Sequence, residues 1–125
     1  MEAKELMIGD KVMVKVLSQI PDTYVLHTWT ANDYSRDIQV KPIPLTAEIL
    51  EENDFWIDED DIRYHEDSEM WVHSDVEHLT IEKFEGRFQC YDIPSMQLNY
   101  VHQIQQVLRL CGLNELADNF KVYVE

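Results

Sequence analysis

Glycine, proline, cysteine and basic residues are all scarce in this chain, and each shortage excludes a class of protein. Three glycines and four prolines in 125 residues are too few for a linker or a low-complexity protein. The two cysteines, Cys90 and Cys111, do not form a disulfide framework, and we expect both to be reduced thiols buried as small apolar residues. The ten lysines and arginines form no basic stripe of the kind that binds nucleic acid directly.

Long apolar runs are missing as well. No stretch approaches the roughly 20 apolar residues that a membrane-spanning helix needs, and residues 1–5 have neither the basic start nor the apolar run of a signal peptide. A hydrophobic content of 45% is nevertheless too high for a disordered acidic chain. We therefore expect one folded domain, residues 1–125, in the cytoplasm and without a membrane partner.

Acidic residues are abundant and are concentrated in one part of the chain. Fifteen of the 25 Asp and Glu residues lie between Glu48 and Glu85, where Arg63 and Lys83 are the only basic residues. With 15 acidic and two basic residues, this acidic segment has a net charge of −13, nearly all of the chain's −15. Such a field repels phosphate groups and anionic lipid and attracts cations or basic protein surfaces.

The first third of the sequence predicts β-structure. Residues 11–17 alternate as a half-buried strand does, and residues 23–30 are rich in β-branched and aromatic side chains. A third strand is expected at residues 36–40, after a turn at Asn32-Asp33. We expect these strands to form a small antiparallel subdomain, residues 1–42, in the manner of an SH3 domain.

Residues 43–125 are expected to combine helices with a second antiparallel sheet. Thr46 is a good N-cap for a short helix from Ala47 to about Asn53. Short strands are predicted at residues 62–64, 70–72, 78–84 and 87–91, with Glu85-Gly86 as the turn of a hairpin.

The clearest helix lies around Leu98–Cys111. Apolar residues recur there at spacings of three and four, and Gly112 follows as a natural C′ residue. A second short helix is expected from Glu115 to Asn119. The predicted fold class is α+β, with an antiparallel β-meander packed by this C-terminal amphipathic helix. Its opposite, polar face comprises His102, Gln103, Gln105, Gln106 and Arg109.

Three segments of the sequence resemble one family. They are Glu5-Leu6-Met7-Ile8-Gly9-Asp10, Pro42-Ile43-Pro44-Leu45-Thr46 and Tyr100-Val101-His102-Gln103-Ile104-Gln105. Together they resemble a family of small uncharacterised proteins from gut bacteria, their prophages and mobile elements. The resemblance implies a phage-like or mobile-element context and supplies no catalytic residue set.

Metal binding is one hypothesis for the acidic segment. Asp58, Asp60, Asp61, His65 and Asp67 are dense in ligands for hard cations. Counted from Asp58, however, the sixth position of an EF-hand loop is Arg63 instead of glycine, so a calcium loop of that type is excluded. The chain has no CxxC pair and no HExxH motif for zinc.

Catalysis has little support in the sequence. Neither cysteine has the basic neighbourhood that stabilises a thiolate, and no pair of carboxylates stands out for acid–base chemistry. Aromatic residues such as Trp29, Trp56 and Trp71 are not accompanied by positive charge, and we expect most of these rings in the core. We predict neither a catalytic residue nor a cofactor, and therefore no enzyme.

The best-supported function is partner binding through the acidic segment. In this hypothesis the protein docks on a basic protein surface, and in one version it mimics nucleic acid and inhibits a host nucleic-acid-binding protein. Two alternatives are a small divalent-metal-dependent enzyme or metal-binding protein, and a domain whose charge serves only solubility. The residues expected to contact the partner are Glu51, Glu52, Asp54, Asp58, Glu59, Asp60, Asp61, Glu66, Asp67 and Glu69.

Overall fold

Helices and strands fall into two groups along the chain. The computed structural model describes residues 5–16, 23–36, 38–59, 68–91 and 96–122. One compact unit, here the terminal unit, comprises Met1–Pro44 and Tyr100–Glu125, and the other, the central unit, comprises Leu45–Asn99. Each contains an antiparallel sheet and helix, which confirms the predicted α+β class.

The terminal unit contains a three-stranded antiparallel sheet. Its order is β2-β1-β3, with β1 at Lys11–Val16, β2 at Thr23–Thr28 and β3 at Val40–Lys41. Val12 on β1 is fully buried against Leu6 and Trp29, and Val14 packs on the same cluster. Of the β1 valines, Val12 lies in the core, and Val14 and Val16 are partly buried. The likeness to an SH3 domain stays a prediction.

The strand expected at residues 36–40 is wrong in its bounds. A 3-10 helix occupies Ala31–Ser35, and only Val40–Lys41 pair as a strand. The reason is the buried carboxylate of Asp33, whose Oδ2 accepts hydrogen bonds from the Thr30 amide at 2.8 Å and the Thr30 hydroxyl at 2.9 Å. These bonds fold the chain into a tight turn, and the third strand begins further along the chain than predicted.

The central unit begins with the helix that the N-cap pattern predicts. This helix, α1, spans Ala47–Glu52, and the Thr46 hydroxyl accepts a hydrogen bond from the amide of Ile49 at 3.2 Å. A four-stranded antiparallel sheet follows in the order β4-β5-β6-β7. Its strands are β4 at Trp56–Ile57, β5 at Ser68–His73, β6 at Val76–Phe84 and β7 at Arg87–Cys90.

The hairpin between β6 and β7 is confirmed at the predicted turn. Phe84 pairs with Arg87, and the two residues between them have positive φ angles, +52° at Glu85 and +78° at Gly86. Two consecutive positive φ values are the requirement of a type I′ turn, which glycine meets without strain. Glu85 meets it at a steric cost.

The strand predicted at residues 62–64 lies outside the described residues.

The C-terminal helices belong to the terminal unit. Helix α2 spans Val101–Leu110 and α3 spans Asn114–Asp118. Gly112 ends α2 as predicted, with φ at +80°, while the amide of Leu113 donates to the carbonyl of Leu108 at 2.9 Å. The structure groups α2 with the N-terminal sheet, whereas the sequence pattern assigns it to the β-meander.

Two smaller predictions about this region are wrong. Leu98 precedes α2 instead of starting it, because its amide donates to the carbonyl of Phe88 at 2.9 Å in an extended stretch. Cys111 is an exposed free thiol at the end of α2, whereas Cys90 is buried as expected.

Among the described helices, none is both long and apolar enough to cross a membrane.

Candidate functional site

Helix α1 places acidic side chains on an exposed surface. Ile49 and Leu50 are buried, so the helix turns its remaining positions outwards. Glu48, Glu51 and Glu52 occupy those positions and are exposed. Since Thr46 caps the N-terminus and Glu48 lies in the first turn, the helix dipole also favours the acidic start of this segment.

The chain after α1 turns so that an aromatic ring is exposed among carboxylates. Asn53 is buried and its Nδ2 donates to the carbonyl of Ile49 at 2.8 Å, while Asp54 adopts a φ of +67°. Phe55 is buried, and its amide donates to the carbonyl of Leu50 at 3.0 Å. The next residue, Trp56, leaves 48% of its surface exposed. The expectation that such rings lie in the core holds for Trp29 and Trp71 and is wrong for Trp56.

Trp56 lies on an edge of the described sheet. It stands opposite Val72, and the ladder continues where the amide of Asp58 donates to the carbonyl of Met70 at 2.8 Å. The other edge of β4 pairs with no strand among the described residues.

The predicted contact residues divide into three groups. Glu51, Glu52, Asp54 and Glu59 are exposed and form no ion pair within the described ranges. Asp58 is half-buried, and Glu69 lies 4.0 Å from the Lys83 ammonium in a half-exposed ion pair. Four predicted contact residues fall outside the described residues: Asp60, Asp61, Glu66 and Asp67. We call Glu51, Glu52, Asp54, Trp56 and Glu59 the acidic-aromatic surface.

No metal centre forms among the described residues. Within residues 5–16, 23–36, 38–59, 68–91 and 96–122, no three His, Cys, Asp or Glu side chains cluster closely enough to hold an ion. Of the predicted ligands only Asp58 is described, and Asp60, Asp61, His65 and Asp67 lie outside these ranges.

In the terminal unit, polar side chains of α2 form hydrogen bonds inside the fold. Asp10 is fully buried, and its Oδ1 accepts a hydrogen bond from Arg109 at 2.5 Å. Its Oδ2 accepts from the amide of Met7 and from Nε2 of Gln106, both at 2.8 Å. Arg109 also donates to Asp118 at 3.3 Å. A buried carboxylate is tolerated here because all of these donors surround it.

Gln105 fixes the same turn from the neighbouring position of α2. It is fully buried; its Oε1 accepts from the amide of Lys11 at 2.8 Å, and its Nε2 donates to the carbonyls of Gly9 and Ala117 at 3.0 and 2.9 Å. The prediction that Gln105 and His102 lie on an outward polar face is therefore wrong, since both are buried.

A cavity of about 460 Å³ lies at the start of α2 in the terminal unit. Its wall includes a buried imidazole, His102, whose ring stacks on Tyr100 with centroids 6.0 Å apart and planes 9° from parallel. Burial lowers the pKa of His102, although the negative charges of Asp10 and Glu5 act in the opposite direction. The imidazole is therefore neutral at pH 7. The lining residues are Glu5, Pro42, Tyr100, His102, Gln103 and Gln106.

Neither the acidic-aromatic surface nor the cavity can be assigned by likeness to a known protein. Comparisons with protein-family models, curated proteins and solved structures find no match. The resemblance to prophage and mobile-element proteins stays a prediction. What the chain binds must therefore be inferred from its own side chains.

Proposed function

We propose that the chain is a non-enzymatic interaction protein whose central unit docks on a basic protein surface. The observation that carries this proposal is Trp56, a half-exposed ring on a sheet edge, surrounded in sequence by exposed carboxylates without ion pairs among the described residues. A domain that uses charge only for solubility gains nothing from exposing a tryptophan. An exposed aromatic ring with a charged rim is the usual composition of a protein-binding site.

The two parts of the acidic-aromatic surface have different roles in this proposal. Tryptophan is a frequent hot-spot residue, and truncating one at the centre of an interface costs about 2 kcal/mol or more of binding energy. Rim carboxylates contribute less to affinity and more to the rate and selectivity of association. The carboxylates therefore select a basic partner, and Trp56 holds it.

The exposed indole ring and carboxylates also favour an arginine-rich partner over a lysine-rich one. A guanidinium group stacks on an indole face and bonds to carboxylates with two parallel hydrogen bonds, which an ammonium group cannot do. A basic surface of this kind occurs on nucleic-acid-binding proteins. The partner in this proposal can therefore be a host protein of that class, which the chain would inhibit by mimicking nucleic acid.

A reducing compartment fits this proposal. Cys111 is exposed and Cys90 is buried, and neither forms a disulfide. Exposed free thiols persist in the cytosol, where disulfides are rare. We therefore place the interaction in the cytoplasm, in a bacterial cell that carries the mobile element.

The experiment is a quantitative pull-down from host lysate with a charge-matched control. One variant replaces three carboxylates of the acidic-aromatic surface (E51Q/E52Q/E59Q), and the control replaces three exposed carboxylates elsewhere (D75N/E85Q/E115Q). Both variants change the net charge equally. We expect wild type and control to retain the same basic protein in low salt, and the E51Q/E52Q/E59Q variant to lose it.

Two results would contradict the proposal. In the first, both triple variants lose the partner equally, because binding then follows total charge. In the second, W56A retains the partner as well as wild type does, because the aromatic ring then plays no part. Thermal melts of each variant confirm that the fold is intact.

A further inference from the structure

We propose that the outer edge of β2, in the terminal unit, binds an extended acidic peptide that joins the sheet as a further strand. The peptide carries two carboxylates four residues apart, with an apolar residue midway between them. No residue of the acidic-aromatic surface belongs to this site, so it is a second interaction surface whose test is independent of the docking proposed above.

The first observation is that β2 lacks the usual protection of an edge strand. It pairs with β1 on one side and, among the described residues, with no strand on the other. Edge strands are normally protected by a lysine, a proline, a bulge or a short length. Thr23–Thr28 contains no lysine, acidic residue or proline and pairs with β1 in one continuous register. Val25 and Leu26 at its centre are 44% and 43% exposed. Such an edge suits the addition of another extended chain.

The second observation is the direction of the backbone groups of β2. The amide of Lys15, on β1, donates to the carbonyl of Gln39 at 3.0 Å and so points away from β2. Lys15 and its partner Tyr24 are therefore a non-hydrogen-bonded pair, and the amide and carbonyl of Tyr24 point to the outer edge. Because this orientation repeats every second residue, Leu26 and Thr28 also direct their amides and carbonyls outwards.

The third observation is that two lysine ammonium groups reach across the sheet to the same residues of β2. Nζ of Lys11 donates to Oγ1 of Thr28 at 2.7 Å, and Nζ of Lys41 lies 4.0 Å from the centre of the Tyr24 ring. Both partners are neutral, and neither ammonium group forms an ion pair with a carboxylate of the described residues. The strands β1, β2 and β3 contain no Asp or Glu. Two positive charges on this face therefore lack a negative partner there.

The spacing of these groups determines the pattern of the ligand. Tyr24 and Thr28 are four residues apart, or about 13 Å along the strand. A strand added beside β2 places alternate side chains opposite Tyr24, Leu26 and Thr28, with about 5 Å between Cβ atoms. Carboxylates at the two outer positions meet Lys41 and Lys11, and an apolar side chain at the middle position covers Leu26. Main-chain hydrogen bonds then supply affinity, and the two ion pairs select the sequence.

A single-stranded nucleic acid is the main alternative ligand for a face that carries lysines, and the geometry favours a peptide. The amides and carbonyls along the edge match the donors and acceptors of a peptide main chain, whereas a sugar-phosphate backbone has no matching row of donors. Tyr24 is the only Phe, Tyr or Trp in the three strands, and Lys41 already contacts its ring, so successive bases have no stacking surface. The chain's net charge of −15 also opposes a polyanion more than a peptide with two carboxylates.

Three synthetic peptides with blocked ends test the proposal on the wild-type protein. TTEVLVETT has the expected pattern, and TTQVLVQTT replaces both glutamates with glutamine. The third peptide is TTEVLVETT with N-methylleucine at its centre, which keeps the side chain and removes the amide hydrogen that bonds to β2. We expect the glutamine peptide to bind at least about threefold more weakly, because two exposed ion pairs are lost. The N-methylated peptide should bind at least about fivefold more weakly, because a main-chain hydrogen bond is lost.

Hydrogen exchange gives a signature that only strand addition produces. We expect TTEVLVETT to slow exchange at the amides of Tyr24, Leu26 and Thr28, which gain acceptors from the peptide. The amides of Val25 and His27 should change little, because they already bond to β1. A second copy of the chain is tested by the protein alone: we expect no slowing of the outward amides as its concentration rises.

A pair of variants separates the two ammonium groups from the overall charge. K11Q/K41Q removes them, and K83Q/R87Q removes two positive charges from the central unit. We expect K11Q/K41Q to weaken binding of TTEVLVETT at least about threefold, and the control to leave it unchanged. An absence of binding, equal binding of the three peptides, or equal weakening by the two variants would overturn the proposal. Tighter binding of a single-stranded oligothymidylate, or slowing of the outward amides by the protein's own concentration, would also overturn it.

Discussion

The buried ion pair between Asp10 and Arg109 gives the sharpest prediction about stability. Asp10 has no exposed surface, and the Arg109 side chain is 10% exposed. Replacing Arg109 with methionine keeps most of the apolar stem and removes the guanidinium group. The carboxylate then loses a charged donor at 2.5 Å and, among the described residues, keeps the amide of Met7 and the side chain of Gln106 as donors.

The expected loss is large because the remaining charge cannot reach water. Removing one partner of a buried ion pair costs about 3–5 kcal/mol. In the double variant D10N/R109M the uncompensated charge is absent, so the total loss should be smaller than the sum of the single losses by about 1–3 kcal/mol. Urea unfolding followed by circular dichroism measures all four proteins. A loss below about 1 kcal/mol for R109M, or strictly additive losses, would refute this description of the pair.

Three further predictions concern local structure. Glu85→Asn should raise the free energy of unfolding by about 0.5–1 kcal/mol, because Asn-Gly suits two positive φ angles better than Glu-Gly does; a lower urea midpoint would contradict this. Gln105→Leu should cost about 2–5 kcal/mol, because one buried and two partly buried backbone groups lose their partner; a neutral effect on the midpoint would contradict it. Asp33→Asn should cost about 1–3 kcal/mol at pH 7 and progressively less below about pH 4.

The pH dependence of the Asp33 variant follows from the environment of its carboxyl group. Burial alone would raise the pKa of Asp33, but hydrogen bonds from His27 and Thr30 outweigh burial and lower it. A lowered pKa contributes stability above the unfolded pKa of about 4, and this contribution is lost as the pH falls through the folded pKa. Urea midpoints of wild type and D33N should therefore converge in acid. A constant difference from pH 7 to pH 3 would show that the charge of Asp33 is not involved.

The sequence predicts those elements whose signals are local. The capping hydroxyl of Thr46 locates the start of α1 because it bonds to the amide of Ile49, only three residues away. The turn at Glu85-Gly86 is local in the same way. These signals correctly identify the α+β class and the exposed acidic side of α1.

Predictions fail where a polar group finds its partner far along the chain. Gln105 and Gly9 are 96 positions apart, and nothing in the periodicity of α2 indicates that a turn with free backbone groups will cover its polar side. The polar residues of α2 therefore do not predict burial, and the sequence does not predict the cavity beside His102. An unusual run of glutamines on a helix without acidic neighbours is the one sequence signal that could have suggested buried hydrogen bonds.

The exposure of Trp56 is missed for a related reason. Asp54 adopts a positive φ, Phe55 is buried, and Trp56 beside it is exposed. An aromatic residue next to another aromatic residue gives no indication of which ring is buried. The exposed side chains of Glu51, Glu52, Asp54 and Glu59 agree with the predicted contact residues, whereas the exposed ring of Trp56 is not predicted.

The most direct measurement of the docking proposal is the salt dependence of affinity for the captured basic partner, compared between W56A and E51Q/E52Q/E59Q. Calorimetry from about 50 mM to about 300 mM salt covers the range in which exposed charges become screened. We expect W56A to weaken binding at least about tenfold with the slope against salt unchanged, and the charge variant to flatten that slope. A W56A affinity equal to wild type, or a slope unaffected by the loss of three carboxylates, would contradict the proposal that this surface binds a partner.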